Sequence, residues 1–174
     1  MTVTREIGIA AHFVVACVCG LAWGWSRHRR SHALLFGALG LLESFLFLDA
    51  FFNWRWILHQ ALLSAAMAKG VYGERKWPQV AALAVLSITA TGGILVAARR
   101  YWRSPGVPLA LCGGVLSVML WWTEVISLHA SDRILQQRVS SVMLVAWFWI
   151  ATSAMIAAGI LWEIWRARSS SVRR

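Results

Sequence analysis

Charged residues are scarce in this chain, and long polar stretches are missing from it. Lys, Arg, Asp and Glu make up 14% of its 174 residues, against about a quarter in an ordinary soluble domain. Hydrophobic residues make up 59%, and the mean hydropathy is +0.63. A soluble fold of this size could not hide so much apolar surface. The composition therefore predicts an all-α integral membrane protein, with residues 1–174 forming a single transmembrane helical domain.

Cysteine is also rare, and the sequence lacks the motifs that mark a known chemistry. The three cysteines, Cys17, Cys19 and Cys112, fall inside apolar runs, where we interpret them as packing residues. The chain contains no P-loop, dinucleotide-binding fingerprint, HExxH or CxxC sequence, and no internal repeat is visible. These absences direct attention to polar residues within the apolar runs.

Acidic residues are scarcer than basic residues, and the basic residues are clustered along the sequence. The net charge is +10, from 17 Lys and Arg against 7 Asp and Glu. The basic residues form short clusters between apolar runs, which is typical of topology-setting loops and of contact with anionic lipid headgroups. We therefore expect membrane lipids as partners, together with other membrane subunits or a second copy of the chain, and no nucleic acid.

Five apolar runs have the length of a transmembrane helix, which is about 20 residues. They cover residues 7–25, 33–52, 78–98, 107–128 and 142–162. A further helix-like stretch, residues 53–72, carries Arg55, His59 and Lys69, which suits an interfacial helix better than a span. The prediction is a bundle of five transmembrane helices plus one interfacial amphipathic helix, and the alternative is six spans.

The second run and the stretch that follows it cannot form one straight span. Together they would make a helix of roughly 60 Å, twice the thickness of a bilayer core. We therefore expect a bend near Asn53 if residues 53–72 lie on the surface. Residues 166–174 are predicted to be a disordered basic tail.

The distribution of Lys and Arg predicts an orientation. With five spans, ten basic residues fall on the side of the C-terminus and seven on the side of the N-terminus. This asymmetry favours an N-terminus outside and a cytoplasmic C-terminus. Arg outnumbers Lys by 15 to 2, which fits a GC-rich bacterial genome. The expected location is the inner (plasma) membrane of a bacterium.

Polar and ionisable residues in or beside the spans are the candidate functional groups, because each costs roughly 2.5–3.5 kcal/mol to insert. The five-span arrangement places all of them except Glu43 at the outer end of the bundle. The candidates for catalysis are Glu43, Asp49 and Glu124. The candidates for a transition-metal site are Asp49, His59, Glu124, His129 and Asp132. A haem would need two histidines, and His12 with His129 is the pair we consider.

Two local spacings bear on these candidates. His129 and Asp132 lie three residues apart and share a helix face, so the aspartate could orient the imidazole. Glu124 lies about 140° from His129 on a regular helix, so the two cannot point at one centre. A structural interpretation stays open as well, in which each buried carboxylate is the partner of a nearby cation such as Arg55.

Three functions follow as hypotheses. The first is an accessory or interaction subunit whose polar residues fix packing and leave no open cavity. The second is a membrane enzyme or redox protein with a His/carboxylate metal or haem site, acting on an apolar, lipid or quinone-like substrate in a pocket of several hundred Å3. The third is a transporter or proton-conducting module, which needs polar groups that continue to the inner face.

Overall fold

The computed structural model describes residues 3–26, 30–70, 72–74, 76–126 and 133–171. Two of the predicted site residues, His129 and Asp132, lie outside these ranges. The long helices are α1 (Val3–Trp25), α2 (Arg30–Phe52), α3 (Trp54–Ala68), α4 (Lys76–Arg100), α5 (Gly106–Ile126) and α6 (Leu144–Ser171). A short 3-10 turn, Tyr72–Glu74, separates α3 from α4.

Within the described residues, five helices are long and apolar enough to cross a membrane. They are α1, α2, α4, α5 and α6, with hydropathies of 1.7 to 2.2 over their most apolar windows. The helix α3 has 15 residues, so it is about 22 Å long. A hydrocarbon core of about 30 Å is thicker than that. The prediction of five span-length helices in an all-α fold is confirmed.

The break between α2 and α3 lies at Asn53. This residue has φ 61° and ψ 39°, in the left-handed region that asparagine tolerates better than most residues. Its backbone N–H still donates to the Asp49 carbonyl at 2.7 Å, which completes the last turn of α2. The bend expected near this residue is therefore present. At the other end of α3, Gly70 has φ 69°, a conformation that commonly ends helices.

Two helix pairs build the bundle. The helix α1 packs along α2, α5 packs along α6, and α1 also packs against α6. The close approach of α5 and α6 needs glycine, because a Cβ at Gly159 would lie 2.4 Å from the Gly106 carbonyl oxygen. By contrast, α4 packs mainly on α5 and is the least buried of the five span-length helices.

The two ends of the bundle differ. At the polar end, α1 and α6 begin and α2 and α5 end. There the Arg5 Nε donates to the Ala50 carbonyl at 2.8 Å, and the Met143 N–H donates to the Thr4 hydroxyl at 3.3 Å. At the far end, the Glu163 carboxylate accepts a hydrogen bond of 3.1 Å from the Gly106 N–H. An apolar core fills the half of the bundle towards the far end: Val15, Cys19, Ala22, Phe36, Leu39, Ala110, Ile156 and Ile160.

Residues around the start of α6 differ from the prediction. A two-stranded antiparallel hairpin, β1 (Arg138–Val139) and β2 (Val142–Met143), precedes the helix. Its two turn residues, Ser140 and Ser141, both have positive φ, as a tight hairpin turn requires. The helix therefore begins at Leu144. The fifth span was predicted to start two residues earlier, at residue 142.

The far end of α6 also differs. The helix continues to Ser171, so residues 166–171, which we expected to be disordered, are helical. Two contacts hold this part of α6 against the region where α5 begins. Glu163 accepts from the Gly106 N–H, and Arg166 donates to the Arg103 carbonyl. These long-range contacts could not be seen in a basic, serine-rich segment. Residues 172–174 of the predicted tail lie outside the described part of the chain.

Candidate functional site

Asp49, Arg55 and Glu124 form an ionic cluster at the polar end of the bundle. The Arg55 Nε donates to Asp49 Oδ2 at 2.6 Å, and the Arg55 Nη1 donates to Glu124 Oε2. Asp49 is fully buried, and the side chains of Arg55 and Glu124 are 11% and 16% exposed. The cluster therefore joins α2, α3 and α5 through charges that are largely removed from water.

The local sequence explains how Asp49 and Arg55 meet. Asp49 lies in the last turn of α2, and Arg55 is the second residue of α3. The left-handed Asn53 between them turns the chain back, so that the Arg55 backbone N–H also donates to Asp49 Oδ1, at 2.7 Å. A carboxylate at this position accepts a hydrogen bond from an otherwise unpaired N–H at the start of α3. Its negative charge also interacts favourably with the positive end of the α3 dipole.

Opposing effects act on the Arg55 guanidinium. Burial lowers the pKa of Arg55, and the charges of Glu124 and Asp49, with their hydrogen bonds, raise it; the net direction is upward. Arg55 is therefore a permanent cation. With two carboxylates around one guanidinium, the cluster carries one net negative charge when both carboxylates are ionised.

Trp149 of α6 completes this side of the cluster. Its indole Nε1–H donates to Glu124 Oε1 at 3.1 Å, and the Arg55 guanidinium carbon lies 4.9 Å from the centre of its ring. The ring fits against α1 because Gly8 has no side chain. A Cβ at Gly8 would lie 2.6 Å from Trp149 Cε3. The position of the indole is thus fixed by a hydrogen bond, a cation–π contact and the space that Gly8 leaves on α1, which we call the notch.

A pocket of about 540 Å3 opens beside the ionic cluster, and its volume lies within the range of small-molecule sites. Its lining combines the charged residues Arg5, Arg55 and Glu124 with indole rings, uncharged polar groups and apolar side chains. The remaining lining residues are Thr4, Ala50, Asn53, Trp56, His59, Leu135, Gln136, Met143, Val145 and Trp149. The pocket thus has both polar anchoring groups and apolar walls.

His59 gives the pocket a defined acceptor. The distance between its Nδ1 and the Val125 carbonyl oxygen is 3.1 Å. A carbonyl oxygen only accepts, so Nδ1 carries the hydrogen in this bond. In the neutral imidazole, Nε2 then keeps its lone pair. The Trp56 ring stacks on the His59 ring, with the ring centroids 5.6 Å apart. This contact also restricts the orientation of the imidazole.

A second polar pair lies deeper in the bundle. His12 of α1 and Glu43 of α2 are 1% and 0% exposed, and the distance from His12 Nδ1 to Glu43 Oε2 is 2.7 Å. The His12 ring lies 6.3 Å from the Trp149 ring. Trp149 therefore stands between this pair and the ionic cluster.

The structure brings some of the predicted site residues together and separates others. Asp49 and Glu124 meet at Arg55 at one end of the bundle, and His59 lines the pocket beside them. Glu43 does not join them and instead pairs with His12. Sequence reasoning named Arg55 only as one possible counter-ion. It did not single out Trp149 as a candidate site residue, and no local signal in the sequence marks the long-range contacts of either side chain.

The structure describes three of the five predicted metal ligands, Asp49, His59 and Glu124. Among the residues that the structure describes, no group of three or more His, Cys, Asp or Glu side chains is placed to hold a metal ion. Two of the five predicted ligands, His129 and Asp132, fall in the gap between Ile126 and Arg133. The metal and haem hypotheses stay predictions, and metal content measured with and without a His129→Ala, Asp132→Ala double replacement tests them.

The described residues define an all-α class of protein, with five helices long and apolar enough to cross a membrane and a charged pocket at one end of the bundle. Comparison of the chain with models of protein families, with curated proteins and with solved structures finds no match.

Proposed function

We propose that this chain is an integral membrane protein that binds an amphipathic small molecule in the pocket at the polar end of its helix bundle. The observation that carries the proposal is the pocket itself, about 540 Å3 in volume and lined by Arg55, Glu124, His59 and two indole rings. A chain whose polar residues served packing alone would have no need of an open cavity beside them. This observation favours ligand binding over a purely structural role.

The proposal places five helices across the membrane and α3 along its surface, at the polar end. The exposed aromatic side chains of Trp54 and Trp56 suit the headgroup region. In this arrangement the N-terminus is outside and the C-terminus is cytoplasmic, in the plasma membrane of a bacterium. The pocket would then open at the outer membrane–water boundary, where a ligand can arrive from the lipid.

The topology can be tested by labelling single cysteines in a variant without Cys17, Cys19 and Cys112. Cysteines introduced at Lys69 and Gln137 should react with an impermeant reagent from the same side of the membrane. Labelling from opposite sides would mean that the chain crosses the membrane an odd number of times between them, which would contradict the two crossings, by α4 and α5, proposed here.

The charges in the pocket indicate which kind of ligand fits. Arg55 is already bonded to Asp49 and Glu124, and Arg5 donates to the Ala50 and Phe51 carbonyls. Because both guanidinium groups are already hydrogen-bonded within the chain, neither needs a charged group of the ligand as a partner. In an uncharged polar head, a hydroxyl can donate to His59 Nε2 and a carbonyl group can accept from a side-chain amide, while an apolar body contacts the indoles. Lipids and quinone-like molecules have this chemistry.

The experiment that tests ligand binding compares two histidine replacements. The protein is purified in a mild detergent, and its organic extract is analysed by mass spectrometry beside extracts of His59→Ala and His32→Ala variants. His32 lies near the start of α2, at the far end, and contacts Phe36. Losing a hydrogen bond and the stacked ring should weaken binding about tenfold in His59→Ala, with no loss in His32→Ala. Equal recovery from both variants, or no bound molecule in the parent, would refute the proposal.

A second candidate function, as an accessory subunit, is favoured by α4. This helix is the most hydropathic of the five, at 2.2, and only 6% of its most apolar window is buried within the chain. Nothing lies within 4 Å of a Cβ built at Gly92 or Gly93, so that face is open to a neighbouring helix. Particle mass in detergent, measured for the parent and a Gly92→Leu variant, tests this role. A single chain in both samples would argue against it.

A further inference from the structure

The His12–Glu43 pair is the most deeply buried acid–base pair in the described part of the chain. Each residue lies nine positions from the polar end of its helix, a depth of about 13 Å. Their side chains are 2% and 0% exposed. Two serines, Ser117 of α5 and Ser153 of α6, lie at the same helical distance from this end. The pair thus belongs to a polar level below the pocket, within the helix bundle.

The charge of this pair has few ways to be balanced. A neutral imidazole beside an ionised carboxylate would leave one net negative charge in a low-dielectric interior, which is costly. Glu43 Oε2 is bonded to His12, whereas Glu43 Oε1 has no hydrogen-bond partner among the described residues. A lone carboxylate oxygen in that position would carry charge without any donor to stabilise it.

The titratable groups around the pair offer no free cation. On α1, the buried thiol of Cys19 lies near Glu43 and can only add negative charge. On α6, the uncharged Trp149 ring faces His12. Beyond it lie Glu124 of α5 and Arg55 of α3, and Arg55 is held by two carboxylates of its own. Within the described residues, a proton is the remaining means of making the pair neutral.

We propose that the His12–Glu43 pair is a proton-binding site that is reached from the polar end of the bundle. One added proton converts a pair of charge −1 into a neutral one, either as imidazolium with carboxylate or as imidazole with carboxylic acid. No other bond is formed or broken. A metal ion would need more ligands than the two that meet here.

The direction of access follows from what lies on either side of the pair. Towards the polar end, His12 is next to Trp149, which itself lines the pocket. Towards the far end, the apolar core begins with Val15, Leu39 and Ile156. Among the described residues of this core, Cys19 is the one member with a polar side-chain group, so a proton that enters from the pocket side meets no continuous chain of polar groups there. The site stores a proton and does not conduct it through the bundle.

Infrared difference spectroscopy between acidic and alkaline pH tests the proton-binding site. The parent protein should show a pH-dependent carboxyl or imidazolium signal that Glu43→Gln removes completely. The matched control is Glu163→Gln, which changes a buried carboxylate at the far end and should keep the signal. If the parent has no pH-dependent signal that is absent from Glu43→Gln, the proposal is overturned.

Two further measurements keep the test decisive. If Glu43→Gln does not fold, nitrogen-15 spectra of histidine-labelled parent, assigned with His12→Gln, should show His12 resonances that change with pH, because a proton on either residue alters the hydrogen bond at His12 Nδ1. Resonances that do not change with pH would overturn the site. In vesicles with oriented protein, the signal should follow the pH on the side of the polar end. A signal that follows the opposite side would overturn the proposed access. Neither readout depends on whether the pocket binds a ligand.

Discussion

Asp49 accepts two hydrogen bonds from Arg55, one from its backbone N–H at 2.7 Å and one from its Nε at 2.6 Å. The two residues lie on opposite sides of the left-handed Asn53. The fully buried carboxylate of Asp49 therefore caps α3. It also binds the Arg55 guanidinium, which in turn binds Glu124 of α5. Both the position of α3 and the orientation of the Arg55 guanidinium towards Glu124 depend on this contact.

Replacing Asp49 by Ala should destabilise the protein strongly. The replacement leaves Arg55 with Glu124 as its one carboxylate partner, and it removes the acceptor of two donors, the Arg55 Nε and the Arg55 backbone N–H. Each buried donor left without an acceptor costs about 1–3 kcal/mol. Thermal unfolding in detergent measures the effect, with Glu74→Gln as the control, since Glu74 is exposed on the turn before α4. Equal unfolding temperatures for the two variants would contradict the role given to Asp49.

Substitution of Gly8 by Ala should displace Trp149. The new methyl group would lie 2.6 Å from the Trp149 ring, and moving that ring disturbs its bond to Glu124. We expect a loss of about 1–3 kcal/mol in unfolding free energy, the usual cost of overpacking. Gly20→Ala is the matched control on the same helix, because its Cβ meets nothing within 4 Å. If Gly8→Ala is as stable as this control, the notch has no structural role.

Gly159→Ala tests the contact between α5 and α6. The added Cβ would lie 2.4 Å from the Gly106 carbonyl oxygen and 2.6 Å from the Ala110 nitrogen. Backbone atoms cannot rotate away as a side chain can, so the two helices must separate. We expect little folded protein, measured by recovery from detergent and by thermal unfolding. Gly93→Ala on the open face of α4 should fold as well as the parent.

At Asn53, the conformation of the backbone predicts opposite results for two small residues. Glycine adopts a left-handed conformation freely, so Asn53→Gly should be close to neutral. Alanine pays about 1–2 kcal/mol there, so Asn53→Ala should unfold at a lower temperature. Comparable losses in both variants would mean that the asparagine side chain matters and the turn geometry does not.

The fold could be read from the sequence mainly where length and apolarity decide it. The five span-length helices and the bend at Asn53 follow from the thickness of a bilayer and from helix rise per residue. The hairpin before α6 was missed, because the stretch from Val139 to Met143 is apolar apart from two serines. Apolar residues alone do not separate a short strand from the start of a span.

The site was less predictable than the fold. The sequence singled out Glu124 and Asp49 because ionisable residues are costly to insert into a membrane, and it left open a structural pairing of each carboxylate with a cation such as Arg55. It could not show that Arg55 bonds to Glu124, which is 69 positions away. Soluble helices reveal their packed face by periodicity, but here lipid and the bundle core both favour apolar side chains. The pairing of His12 with Glu43 was hidden for the same reason.

The short separation between Asp49 and Arg55 has a consequence for biogenesis. The aspartate enters the membrane near the end of α2, when α5 and its Glu124 have not yet been synthesised. Arg55 emerges from the ribosome only six residues later and can neutralise Asp49 at once. The second helix can therefore be inserted with its carboxylate already paired, and Glu124 is added to an existing ion pair when α5 follows.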